Sequence, residues 1–130
     1  MKLMETVIGS EEIFTGRIIH IRRDRVRLPD GLESSREIVE HRGAVCILPA
    51  LGSSALLVRQ YRLAAGCVLM EAPAGTLEPG EDIEKCAFRE LEEETGHRAG
   101  RMLKLGAFYA APGYSSEKKY MHFSPLISLQ

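Results

Sequence analysis

Cysteine is scarce in this chain of 130 residues: Cys46, Cys67 and Cys86 are the whole complement. They are odd in number, widely spaced and without a CxxC pair, which excludes a disulfide framework and a zinc knuckle. Each sits in an apolar stretch, so all three read as small buried hydrophobes. Charge of one sign is lacking too. The formal net charge is −1, so no global field draws the chain to nucleic acid or to an anionic membrane. An anionic substrate must be held by local cations or by a metal. No run approaches the ~20 apolar residues of a membrane span, and Met1 to Ser10 lack the apolar core of a signal peptide. The cytoplasm is the expected location. Repeats and low-complexity tracts are absent, and the length suits one compact domain.

What remains is a β-rich chain with one well-punctuated helix. Gly16–Leu28 and Leu32–Glu40 read as antiparallel strands about the turn signal Pro29-Asp30-Gly31. Ala44–Pro49 is a short apolar run, as expected of a strand covered on both faces. Ala55–Arg62 and Val68–Ala72 give further strands, and Pro73-Ala74-Gly75 gives a loop. A helix follows Pro79-Gly80, with Glu81 and Asp82 at its positive end and Gly96 as its stop. Met102–Ala110 reads as a strand, Pro112–Ser116 as a loop, and Tyr120–Phe123 opens a last strand. Strands around a central helix imply an α/β or α+β sheet domain.

The helix carries charge where apolar residues belong. At about 100° per residue, Cys86, Ala87 and Leu91 share a stripe with Ile83 that should face the sheet. Glu90 and Glu94 fall in the middle of that stripe, Glu93 on its edge, and Glu92 towards solvent. A carboxylate on a core-facing stripe must take up a proton or find a cation, and the i, i+4 spacing sets two like charges side by side. Mg²⁺ or Mn²⁺ resolves both problems, because hard cations prefer carboxylate and carbonyl oxygens. A merely solvated acidic face is the simpler alternative for such a run taken alone.

Gly75, Glu81, Arg89-Glu90-Leu91, Glu93-Glu94 and Gly96 have the spacing of the Nudix box: glycine, five residues, glutamate, seven residues, then Arg-Glu-aliphatic-any-Glu-Glu-any-Gly. The mismatch is His97, where the family has an aliphatic residue; it is expected to pack at the helix exit. Val58–Arg62, Glu71–Gly75, Arg36–His41 and Ala111–Glu117 are similar to the ADP-ribose pyrophosphatase branch, as is Pro112, sixteen residues after Gly96. The resemblance runs from about Gly16 to Phe123. It implies a Nudix-type α/β/α sandwich with a mixed sheet. Residues 1–42 would form an N-terminal antiparallel β-region that pairs or swaps with a second subunit, and residues 43–130 the hydrolase domain. Relatives continue with further strand and a C-terminal helix beyond the point this sequence reaches.

The implied reaction is metal-dependent hydrolysis of a small nucleotide sugar, ADP-ribose to AMP and ribose 5-phosphate, by a homodimer acting on neither nucleic acid nor membrane. Other nucleoside diphosphate sugars or dinucleotides, or a non-catalytic nucleotide-binding module, are the alternatives. The resemblance makes Glu90, Glu94 and the Ala74 carbonyl metal ligands, and Glu93 a ligand or nearby base. Arg89 would orient the glutamates, and Glu81 would complete the cluster. Arg62 is expected on the diphosphate, with Arg59 as a second candidate, and Arg36 at a partner subunit's site. Glu71 would hold the adenine amino group or pack structurally. Tyr61 and Tyr114 would stack on a base or pack. Glu117 would serve as base, bind metal or simply flank the loop.

Overall fold

The computed structural model describes residues 3–127. The chain divides into two units, one running to Arg42 and including Tyr109–Glu117, the other comprising Gly43–Phe108 and the residues from Lys118 on.

The N-terminal unit is a three-stranded antiparallel sheet of β1 (Thr6–Thr15), β2 (Ile19–Arg27) and β3 (Glu33–His41), in that order. The first of these is a correction. The strand expected from Gly16 begins only at Ile19, and Thr6–Thr15 forms a strand that its acidic, non-alternating sequence did not signal. It is held by its ladder to β2, Thr6 against Arg27 through Thr15 against His20, with two register shifts. Asp24 and Val26 of β2 are buried. Asp24 accepts hydrogen bonds from the Ser10 hydroxyl and, at 2.9 Å, from Arg22 Nε, which hold its carboxyl below the usual range. The Tyr109–Glu117 segment joins this unit through β3: Val39 N–H donates to Tyr114 O at 2.7 Å, and Ser116 N–H to Val39 O at 3.0 Å.

The second unit is built on β4 (Ala44–Leu51) and, far along the chain, β11 (Lys118–Ile127). These two run parallel, with Lys119 beside Ala44 and Pro125 beside Ala50. Antiparallel partners β5 (Ser54–Ala55), β8 (Ala74–Thr76) and β9 (Arg98–Ala99), with β10 (Leu103–Tyr109) beside β11, complete a mixed sheet. A separate hairpin pairs β6 (Val58–Arg62) with β7 (Cys67–Glu71). The mixed-sheet α/β architecture is therefore as expected; among the described residues one helix, α1 (Ile83–Thr95), is present.

Three further readings change. Residues 55–62 are not one strand, because the chain leaves the sheet at Leu56 and Leu57. Pro73-Ala74-Gly75 is not simply a loop, because Ala74 and Gly75 pair with Cys46 and Val45. The cysteines also divide: Cys86 is buried and Cys46 half-buried, but Cys67 is exposed on the two-stranded hairpin.

Helix α1 starts and stops on local signals. Asp82 is its N-cap, with extended backbone and a carboxylate that accepts the Lys85 N–H at 3.0 Å. Gly96 ends it in the left-handed conformation, φ 71°, and returns its N–H to Glu92 O, a geometry glycine adopts without a Cβ penalty. Between the caps the buried positions are Cys86, Ala87, Glu90 and Leu91. The apolar three join Val45, Ile47 and Leu77 in the core, flanked by Ile83, Ala99, Met102, Tyr120 and Leu126. Burial of side chains such as Ile47 and Leu91 contributes about 1.5–3 kcal/mol each, and this contact fixes which face of α1 meets the sheet.

Candidate active site

Glu90 is the acidic residue that the stripe carries inward. It is 9% exposed, and burial pushes its carboxyl above the usual range, with Arg89 pulling the other way. One oxygen accepts from Arg89 Nη1 at 2.9 Å. The carboxylate lies directly against Gly75 of β8. A Cβ added there would stand 1.9 Å from Glu90 Cδ and 2.2 Å from each carboxylate oxygen. The glycine is thus required for space, since its φ lies outside the left-handed region.

Arg89 organises the cluster. Its Nε and Nη2 bind the two oxygens of Glu81 at 2.8 and 3.0 Å, and its Nη1 reaches Glu90 and, at 3.1 Å, Glu93. The bidentate geometry is the strong form of a carboxylate–guanidinium contact. Glu81 also accepts the Glu78 N–H at 2.9 Å. Arg89 foremost, and that backbone bond second, hold its carboxyl down at about 2. The thiol of Cys86 lies 3.6 Å from Arg89 Nη2; burial, and next the Glu81 carboxylate, push it up to about 12. It is a packing residue, not a nucleophile. His97 is held at the helix exit, its Nδ1 2.9 Å from Thr95 O.

Glu94 does not follow Glu90 inward. It is exposed, as are Glu92 and Glu93, which corrects its expected place on the buried stripe. Angle gives a residue's direction, while depth depends on what lies opposite. The guanidinium of Arg62 is held protonated chiefly by its hydrogen bond to Glu71, with the charge of Glu94 a smaller contribution. Arg62 and Glu71 face each other across the β6–β7 hairpin and pair bidentately at 2.8 and 2.7 Å. Lys119 of β11 adds positive charge near Glu71. Box and hairpin therefore meet electrostatically at Glu94 and Arg62. Arg59 is exposed on β6, and Ala74 stands beside Gly75 in β8.

Arg36 and Glu117 belong to the N-terminal unit. Arg36 binds Glu5 with its Nε at 3.0 Å and Nη2 at 2.7 Å. The Glu117 backbone is fixed by the Ser115 hydroxyl and by Ala110. Tyr61 and Tyr114 are exposed and unpacked.

Among the described residues no three Asp, Glu, His or Cys side chains converge as a ready ligand set. Arg89 occupies the space between the carboxylates instead. The residues nonetheless suit a hard divalent cation. Glu90 is a desolvated carboxylate cradled against a position without a Cβ, and its second oxygen takes no hydrogen bond from the described residues. Such an oxygen favours a cation.

The sequence profile of the NUDIX domain matches residues 40–126, and that of the nucleoside diphosphate sugar hydrolase N-terminal domain matches residues 5–39. The chain is 41% identical over 128 residues to the ADP-ribose pyrophosphatase of Bacillus subtilis (strain 168), covering 98% of this chain and 69% of that one. It is 40% identical over 125 residues to the methanol dehydrogenase activator of Bacillus methanolicus, covering 95% and 68%. A crystal structure of an ADP compounds hydrolase superposes with a TM-score of 0.85 at 25% identity, covering all of this chain and 74% of that one.

Proposed function

This chain belongs to the Nudix family, and on that premise we propose that it is a pyrophosphohydrolase that splits ADP-ribose into AMP and ribose 5-phosphate. The interlock of Gly75, Glu90, Arg89 and Glu81 carries this reading, because it sets a desolvated carboxylate where a substrate-neutralising cation would sit. The names of the Bacillus subtilis relative and of the superposed structure support the choice of substrate.

Glu90, Glu94 and the Ala74 carbonyl are the groups that would hold the cation, Mg²⁺ by preference, with Glu93 beside them. When bound, it neutralises charge building on phosphoryl oxygens. The chain's own residues do the rest. Arg89 fixes the Glu90 and Glu93 carboxylates through charge-assisted bonds. Glu93 takes a proton from the attacking water as the water oxygen bonds to phosphorus and the bridging P–O bond breaks. Arg62 exchanges one carboxylate oxygen of Glu71 for an oxygen of the diphosphate, and the freed Glu71 accepts from the adenine amino group. Arg59 adds a second cation on the same strand. Arg36 reaches the substrate of a second subunit in a homodimer. The protein works in the cytoplasm.

The test is turnover of ADP-ribose with Mg²⁺, read as AMP and ribose 5-phosphate, by the parent and by Glu94→Gln. The parent should turn over and the variant should lose 100-fold or more, about 2.7 kcal/mol of barrier. A parent without Mg²⁺-dependent turnover refutes the catalytic reading. Much faster turnover of another nucleoside diphosphate sugar refutes the substrate.

A further inference from the structure

A cavity of about 250 Å³ lies at the start of α1, lined by Asp82, Ile83, Glu84, Met102, Lys104 and His122. None of Glu81, Glu90, Glu93 and Glu94 lines it. Its buried member is His122 of β11, which is 3% exposed and has no part in the reaction above. The ring's Nδ1 lies 3.2 Å from Tyr120 O. A carbonyl oxygen only accepts, so Nδ1 carries a proton and Nε2 of the neutral ring presents a lone pair. Nε2 has no hydrogen-bond or ion-pair partner among the described residues, yet it is not sealed from solvent. A ring nitrogen on a buried side chain, left without a partner beside open space, points to a donor from outside.

The rest of the lining fixes the chemistry of that donor. Asp82 gives one carboxylate oxygen to the Lys85 N–H, and its other oxygen takes no hydrogen bond from the described residues. Glu84 is exposed and has no hydrogen-bond or ion-pair partner among them. His122 Nε2 and these two carboxylates are three acceptors around one space, and a primary ammonium carries three N–H donors. Lys104 of β10 is the cation of the lining; it is exposed and likewise unpaired among the described residues. Ile83 and Met102, both half-buried, add apolar surface.

We propose that this cavity binds a small zwitterion of the α-amino-acid class. Its ammonium sits on His122 Nε2, Asp82 and Glu84, its carboxylate on Lys104, and its apolar side chain against Ile83 and Met102. Both ligand charges are needed. An amine without a carboxylate would meet Lys104 as a like charge, and a carboxylate without an amine would meet Asp82 and Glu84. The volume falls a little below the roughly 300–1,000 Å³ of sites for drug-sized ligands, which suits a molecule of amino-acid size. None of these residues belongs to the pyrophosphohydrolase machinery assigned above.

The probe is L-leucine, titrated calorimetrically into the full chain in EDTA at about pH 8, above the ordinary histidine range. Metal is absent, so the readout is binding alone and independent of hydrolysis. L-Leucine should bind. Isocaproate, which lacks the ammonium, and isoamylamine, which lacks the carboxylate, should each bind at least tenfold more weakly. Glu84→Gln and Lys104→Gln, both at exposed positions, should each weaken L-leucine binding tenfold or more. Lys85→Gln and Glu92→Gln change charge on the same helix outside the cavity and should leave binding unchanged. The nitrogen NMR resonance of His122 Nε2 in the parent should shift on adding L-leucine more than that of any other histidine. Absence of binding by the parent overturns the site. So does equal binding of either analogue, an equal loss in the two control variants, or a His122 resonance unmoved by bound L-leucine. Unchanged far-ultraviolet circular dichroism and melting temperature exclude unfolding as the cause of any loss.

Discussion

Gly75→Ala adds one methyl group and should disable the site while sparing the fold. The φ of Gly75 lies outside the left-handed region, so the variant tests space alone. The new Cβ would lie 1.9 Å from Glu90 Cδ, whereas real Cβ contacts do not fall below 3.0 Å. The carboxyl group must therefore retreat by at least 3.0 − 1.9 = 1.1 Å. That displacement breaks its 2.9 Å bond with Arg89 and moves a carboxylate proposed above to hold the cation. Misplacement by about 1 Å costs on the order of 10²-fold in rate, which is about 2.7 kcal/mol. Stability should fall much less. Overpacking costs about 1–3 kcal/mol, and the low end applies here, because expelling a carboxylate whose burial already raises its pKa recovers solvation. The assay is kcat on ADP-ribose with Mg²⁺, alongside urea denaturation in two backgrounds. Added to Glu90→Ala, where no carboxylate remains to collide, Gly75→Ala should cost no further stability. A kcat within threefold of the parent, or the same stability loss in both backgrounds, refutes the reasoning.

The Glu81 carboxyl, held at about 2 chiefly by Arg89 against an ordinary 4.5, supplies stability that is complete above pH 4.5 and is lost as pH falls towards 2. Glu81→Gln should flatten the pH dependence of the denaturation midpoint across that window, and an unaltered slope would show that the group does not contribute. Asp82→Ala removes the N-cap bond to Lys85 and should cost about 1 kcal/mol in urea denaturation, with a loss below 0.3 counting against the cap. Arg62→Ala breaks a pair that is half-exposed on its arginine side, worth at most about 1 kcal/mol of stability. It should raise KM for ADP-ribose tenfold or more, and an unchanged KM would leave Arg62 as a strand-end cation held by Glu71.

The helix and its carboxylates were legible because their signals are local. Asp82 and Gly96 punctuate α1 through bonds to residues three and four positions away. The 3.6-residue period is enough to turn Glu90 inward with Cys86, Ala87 and Leu91. The Gly75–Glu81–Arg89 spacing also anticipated a cluster that the structure draws together through one guanidinium. Strand β1 was not legible: Glu11 and Glu12 interrupt any alternation, and the segment is extended because β2 pairs with it. Strand β8 was hidden behind a Pro-Ala-Gly turn signal, since its partner Val45 lies thirty residues earlier.

By itself, then, the sequence determined the chemistry of the Gly75–Gly96 segment: which residues carry charge, which face of the helix they take, and which glycine must stay small. Tertiary structure decided the depth and partner of each charge. Glu90 is desolvated because β8 lies over it, Glu94 remains in solvent near Arg62, and Arg62 closes on Glu71 across a hairpin. Helical periodicity sets an angle, but the cost of a buried carboxylate depends on what stands opposite, and residues distant along the chain supply that surface.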